Sequence, residues 1–203
     1  MMFRKTLVFA ALLGLSPVWA ADFSDPTWPC VQRKVERLSV GLMWPQPIPE
    51  TVPEDAALRG AIDALATRLS VRRIPVQDIR PEVAAFAATQ DDAPALLGLV
   101  FDDVFDSLSS RRSQIISGIG EFSLSQIALS ERIEAARREM DAEMAKDEPD
   151  FDRVDALEEQ LDWDQTIYSD RQQSITYLCE TPVLLEKRLF EIAQMLQAEA
   201  QGG

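Results

Sequence analysis

Proline positions divide this chain more sharply than any other feature. Six of the twelve prolines fall between Pro26 and Pro53, two more stand at Pro75 and Pro81, and after Pro94 none recurs until Pro149. Proline in a helix interior removes a backbone hydrogen bond and clashes with the preceding turn, so the first stretch is closed to long helices and the later ones are open to them. Asp22 to Pro53 is therefore expected to run extended over the surface. Val35 to Trp44, between the two proline clusters, has room for a short strand, but no partner strand is visible.

Local signals then place the helices. Thr51 followed by Glu54 has capping-box spacing, and Leu58, Ile62, Leu65 and Leu69 recur at helical intervals, predicting a helix over about 52–70. Pro75 and Pro81 confine the stretch with Ile79, Val83 and Phe86 to a short second helix ending before Asp91. Asp92 as cap with Pro94 in the first turn opens a long segment running to Lys146. Pro149 and Asp150 supply a turn and a second cap, and a last segment runs from Asp152 to about Ala200.

Both long segments carry heptad spacing. Phe122, Gln126, Leu129, Ile133, Ala136 and Met140 alternate steps of four and three, as do Val154, Leu157, Leu161, Asp164, Tyr168, Arg171, Ile175 and Leu178. With a turn near Glu148, residues whose numbers sum to about 297 should face one another across an antiparallel seam. That register sets Phe122 against Ile175, Leu129 against Tyr168, Ala136 against Leu161 and Met140 against Leu157; it also sets Gln126 against Arg171 and, less comfortably, Ile133 against Asp164. Asp164 and Arg171 are expected either to fix the register or to reach out to water. Gly118 and Gly120 on the outgoing segment and Pro182 on the return fall at one height, which predicts a joint there. Below it Leu97 to Ile116 and Leu184 to Leu196 would pack with the short helices, and above it an arm of about 40 Å would project. The alternative is that both segments break at the joint and fold into a compact bundle.

The expected fold is thus all-α: a small helical bundle with a long antiparallel helical hairpin, a coiled-coil arm over about 120–178, and an extended Pro-rich N-terminal segment. Ahead of it, Arg4 and Lys5, the apolar run Thr6 to Leu15 and the small residues Val18 and Ala20 have the layout of a secretory signal peptide, residues 1–20. Residues 21–53 form the extended segment and 54–203 the helical part. An apolar run this short does not span a bilayer, and no second one follows, so no membrane insertion is expected after cleavage. Sixteen arginines against four lysines and no asparagine suit a GC-rich bacterial source, which makes the periplasm the expected compartment and extracellular release the alternative. In either, Cys30 and Cys179, the only cysteines, are expected to pair as a disulfide.

The chain has no histidine. That excludes Ser-His-Asp and Cys-His nucleophile pairs, His-containing zinc sites, Glu-x-x-His di-iron bundles and imidazole-ligated haem. No catalytic residues, resident metal or cofactor are expected. Without the signal peptide, 18 basic residues face 34 acidic ones, a net charge of -16 that disfavours nucleic acid and anionic membrane surfaces as partners. The acid is concentrated: the 24 residues from Asp141 to Asp164 hold 11 carboxylates against Lys146 and Arg153. At the turn of the hairpin, Asp147, Glu148, Asp150, Asp152 and Asp155 are the candidate partner-binding residues, suited to steer a cationic surface of another envelope protein. A second copy of the chain is a further possible partner. A calcium loop counted from Asp147 closes on Glu158, but Pro149 and Phe151 stand at ligand positions and Asp152 where glycine belongs.

Two other runs are set aside as structural. Ser117-Gly118-Ile119-Gly120 lacks the later glycine and lysine of a phosphate loop, and Ser107, Ser109, Ser110 and Ser113 around Arg111 and Arg112 read as a polar helix face. The small basic clusters are Arg33 with Lys34, Arg72 with Arg73, and Arg137 with Arg138. The first expectation is a non-enzymatic accessory, adaptor or chaperone-like protein; a hydrolase using paired carboxylates and a calcium-responsive envelope protein are the alternatives.

Overall fold

A computed structural model of the chain describes residues 25–202, and the expected signal peptide at 1–20 lies outside them. Within the described residues the fold is all-helical, with no strand. It comprises α1 (Ala56–Ser70), α2 (Val76–Ala87), α3 (Ala93–Met144) and α4 (Phe151–Ala200), preceded by one 3-10 turn at Val40–Leu42. That turn occupies the stretch where a strand had room to form; Met43 and Trp44 donate their backbone N–H groups back to Val40.

The cap of α1 is Asp55, whose carboxylate accepts from the amides of Ala57 and Leu58, so the Thr51–Glu54 box is not used and the helix starts four residues later than expected. Pro81 does not end α2; it lies inside the helix, at the cost of one backbone hydrogen bond. The other two caps are the expected ones. Asp92 accepts from Ala95 at the start of α3, and Asp150 from Arg153 at the start of α4. Neither long helix breaks: α3 continues through Gly118 and Gly120, and α4 through Pro182.

All four helices share the main core. Leu69 of α1, Ile79 and Val83 of α2, Leu97, Phe101 and Leu108 of α3, and Leu185, Leu189, Ile192 and Leu196 of α4 are fully buried in it. Arg188 is buried beside them and enters no ion pair among the described residues. Its guanidinium donates to the carbonyls of Leu69 at 2.6 and 2.9 Å and of Ile74 at 2.9 Å, satisfying one acceptor left over at the C-terminus of α1 and one in the connection to α2.

The segment from Asp25 to Pro53 is a strap over α3 and α4. Where it starts, Asp25 accepts from the hydroxyl and amide of Thr27 and from Lys34, hydrogen bonds that hold its carboxyl down at about 2. Trp28 is buried and donates to Gln32's carbonyl at 2.6 Å. Cys30 and Cys179 form the expected disulfide, with a Cα–Cα separation of 5.5 Å. These three residues make a second small core with Ile116 and Ile119 of α3. The level read from sequence as a joint is therefore a clasp. Gly120 has a role in it, since a Cβ there would stand 3.4 Å from Thr27, whereas Gly118 faces open space. Further along, buried Arg112 donates to the carbonyl of Val35, Ser113 to that of Glu36 and Gln197 to that of Met43. Trp44 stacks on Phe101 with ring centroids 5.2 Å apart and closes the main core.

Beyond the clasp only α3 and α4 remain. Every residue assigned to the seam is buried or half-buried, and Leu129, Ile133, Ala136, Leu157 and Leu161 form a third core lined by Met140 and Tyr168. Asp164 neither snorkels nor stays unpaired. It is 3 % exposed and accepts both arms of the Arg132 guanidinium, a residue adjacent to the seam. Gln126 reaches the carbonyl of Tyr168 at 3.2 Å rather than Arg171, and Arg171 instead donates to Ser125 at 3.1 Å.

The Arg132 hydrogen bonds hold the Asp164 carboxyl below the usual aspartate range despite its burial. A carboxyl depressed in the folded state contributes stability above its unfolded pKa of about 3.9, and this is lost as pH falls through the folded value. Thermal melts between pH 5 and pH 2 should therefore show an acid-labile component that Asp164→Asn removes. An unchanged acid profile in that variant would show that the pair contributes nothing.

Candidate functional site

The acidic turn between α3 and α4 separates into carboxylates that build it and carboxylates that face outward. Glu143 is a builder: it is 9 % exposed and accepts from the Lys146 ammonium at 2.6 Å and from the Asp150 amide at 3.1 Å. The Lys146 bond, then that from Asp150, holds its carboxyl low. Asp150 is the second builder, spent on the cap of α4. Arg153, just inside α4, reaches back to Glu139 on α3, which raises its own pKa and ties the two helices across the turn.

Of the five expected partner-binding residues, Asp147, Glu148, Asp152 and Asp155 are exposed and enter no ion pair among the described residues. The structure thus leaves four of the five available and gives Asp150 a structural task. The outward acid continues along α4. Asp155, Glu158, Glu159 and Asp162 line a shallow depression with Trp163 and Thr166. Trp163 is 69 % exposed. From Val154 to Asp170 the helix carries no lysine or arginine at all. The seam positions Leu161 and Asp164 on either side of Trp163 turn it outward, a signal already present in the heptad spacing. An indole on an acidic, base-free face is suited to a cationic partner, because its ring face attracts ammonium and guanidinium groups and tryptophan dominates many interface energies.

The arrangement offers little for the two chemical alternatives. Among the described residues no group of three or more Asp, Glu or Cys side chains converges as a metal site. The buried acids among the described residues are Glu143 and Asp164, and both are held low, opposite to what a general acid needs. Their α3 levels, Glu143 itself and the Arg132 that holds Asp164, lie about 16 Å apart along the helix, beyond the carboxylate spacing of glycosidases.

A second acidic group lies at the base. Partial desolvation raises the carboxyls of half-buried Asp102 and of Asp103, which stays exposed, helped by Asp106 for the first and by Asp63, Asp102 and Asp106 for the second. A carboxyl raised in the folded state binds its proton more tightly there, so this group adds stability as pH falls through its folded pKa and costs stability above it. Asp103→Asn should accordingly raise the melting temperature at pH 7 and have little effect at pH 3. A fall at pH 7 would contradict the assigned repulsion.

Comparison with known proteins gives no match: no family model fits the chain, and no curated protein or solved structure resembles it.

Proposed function

We propose that the chain is a non-enzymatic binding protein of an oxidising extracytoplasmic compartment, the periplasm first and the extracellular space as alternative. In this reading α3 and α4 form an antiparallel coiled-coil hairpin whose acidic end docks a partner protein with a basic surface. The hairpin is supported by the order of the cross-helix bonds: Gln126 with Tyr168, Arg132 with Asp164 and Glu139 with Arg153 rise in one number as they fall in the other. The buried four-three spacing of the seam supports it as well. The disulfide favours the compartment, since such bonds persist where thiols are not kept reduced.

The observation that carries the docking role is the uncommitted acid. Asp147, Glu148, Asp152 and Asp155 are exposed although neighbouring carboxylates are used in caps and cross-helix pairs. They run into the base-free face of α4 around Trp163. Exposed like charges add little to stability and act mainly through the field they project, which speeds encounter with an oppositely charged partner and selects its orientation.

The test is cross-linking and co-purification in the cell envelope with the mature protein and a variant carrying Asp147→Asn, Glu148→Gln, Asp152→Asn and Asp155→Asn. Asp150 is kept because it caps α4. Partner recovery should fall by roughly tenfold, and wild-type recovery should weaken with added salt. Equal recovery of the same partner by both proteins would remove the acidic turn as the contact.

A further inference from the structure

The two basic and polar runs that the proposed function leaves unused are brought together at the other end of the molecule. α1 ends at Ser70, and its packing against α3 sets Arg72 and Arg73 beside Ser107 and Arg111, 38 positions beyond Arg73 in the chain. With Thr67 they line an open concavity of about 440 Å³. No carboxylate lines it, in a chain whose 34 acids outnumber its 20 bases. None of the three arginines enters an ion pair among the described residues. Ser70 commits its hydroxyl to the carbonyl of Ala66 at 2.9 Å, while the Thr67 and Ser107 hydroxyls donate to no group among the described residues.

Behind this surface lies a fourth arginine. Arg188 is buried and fixed on the carbonyls of Leu69 and Ile74; burial lowers its pKa, Glu191 opposes that, and the charge of Arg72 adds a smaller lowering effect. Arg72, Arg73 and Arg111, grouped around a concavity that no carboxylate lines, repel one another, and a bound anion would relieve that repulsion. The guanidinium fork matches the oxygen edge of a phosphoryl group, and hydroxyls complete such a shell by donating to the remaining oxygens.

We propose that Arg72, Arg73 and Arg111, with the hydroxyls of Thr67 and Ser107, form a binding site for a phosphate dianion, either free or as the monoester group of a larger molecule. The site is independent of the acidic turn and lies far from it, in the first half of α3. Its openness leaves room for whatever the phosphoryl group is attached to, and the strongly negative remainder of the surface favours a soluble ligand over a membrane headgroup.

Calorimetric titration of the mature protein with inorganic phosphate and pyrophosphate should give saturable binding that weakens with salt. The double variant Arg73→Gln/Arg111→Gln should bind at least about tenfold more weakly. Ser107→Asp, which places a carboxylate in the concavity, should do the same, and both should keep the wild-type circular dichroism because all three side chains are exposed. Arg33→Gln, at an exposed arginine elsewhere, should bind as wild type. Sedimentation with phosphatidylcholine vesicles containing phosphatidic acid separates the sources: capture reversed by phosphate assigns a lipid monoester, and phosphate binding without capture assigns a soluble one. Absence of saturable phosphate binding, or an equal loss in Arg33→Gln, overturns the proposal.

Discussion

A chain in which Cys30 and Cys179 are both serine should unfold at a markedly lower temperature. The bond links positions 149 apart, so in the chain-entropy picture opening it restores freedom to almost the whole unfolded chain, worth up to about 5 kcal/mol. Measured values for single bridges run from about 2 to 5 kcal/mol, and a domain of this size shifts by about 2–4 °C per kcal/mol, so a drop of about 10 °C is expected. The effect should also be local. The clasp holds Trp28, Cys30, Ile116, Ile119 and Cys179 in a small core that buries much less apolar surface than the main one. Hydrogen exchange should rise first at 115–123 of α3 and 175–182 of α4, while α1 and α2 stay protected. Dithiothreitol on the wild type should reproduce the result. A loss below about 1 kcal/mol would mean that the strap is held by its hydrogen bonds, such as Arg112 to Val35 and Ser123 to Pro26, without needing the covalent link.

The helical frame could be read from sequence because its signals are local. Asp92 and Asp150 cap the helices they were expected to cap, and every seam position is buried or half-buried. What could not be read depends on contacts distant in sequence. Thr51 and Glu54 have the spacing of a capping box, yet Asp55, next to the helix, takes the amides. Gly118, Gly120 and Pro182 carry a helix-weakening penalty of about 1 kcal/mol for each glycine and about 3 for proline, which predicts a joint when each helix is considered alone. Packing of the strap, with its disulfide, at the same height outweighs that penalty, and the strap is 65 or more positions away from all three. The partner of Asp164 was hidden for a related reason: Arg132 lies one position off the seam, and only a long side chain reaching across from the exposed face of α3 brings its guanidinium there.

The candidate site was legible as a composition and less so as an arrangement. The acidic concentration is a count along the chain, and it survives into the structure. Which carboxylates are free is a question of hydrogen-bond partners, and Glu143 and Asp150 look no different from Asp147 or Glu148 in sequence. Trp163 needed only the seam assignment already made. The arginine concavity needed tertiary contact, because Arg72 with Arg73 and Arg111 with Ser107 are each unremarkable until α1 and α3 pack together.

Trp44→Ala should cost about 3–5 kcal/mol, comparable to the disulfide and a large share of the roughly 5–15 kcal/mol that keeps a domain folded. Trp44 is 3 % exposed, stacks on Phe101 and belongs to the core shared by all four helices, so truncation opens a cavity under the strap that neighbouring groups cannot fill. The strap would lose its apolar anchor while keeping the weaker tie from Gln197 to the Met43 carbonyl. Trp44→Phe separates packing from polarity. The indole Nε1 is buried with no hydrogen-bond partner among the described residues, a desolvation cost that phenylalanine does not carry. Phenylalanine also keeps a ring stacked on Phe101, so its net cost should stay below about 1.5 kcal/mol. Gly98 below the indole would place a new Cβ 3.5 Å from Nε1, an ordinary contact, so Gly98→Ala should be neutral or slightly stabilising through helix propensity. Urea unfolding followed by circular dichroism measures all three variants. A phenylalanine variant as unstable as the alanine one would show that the indole nitrogen does have a partner in solution.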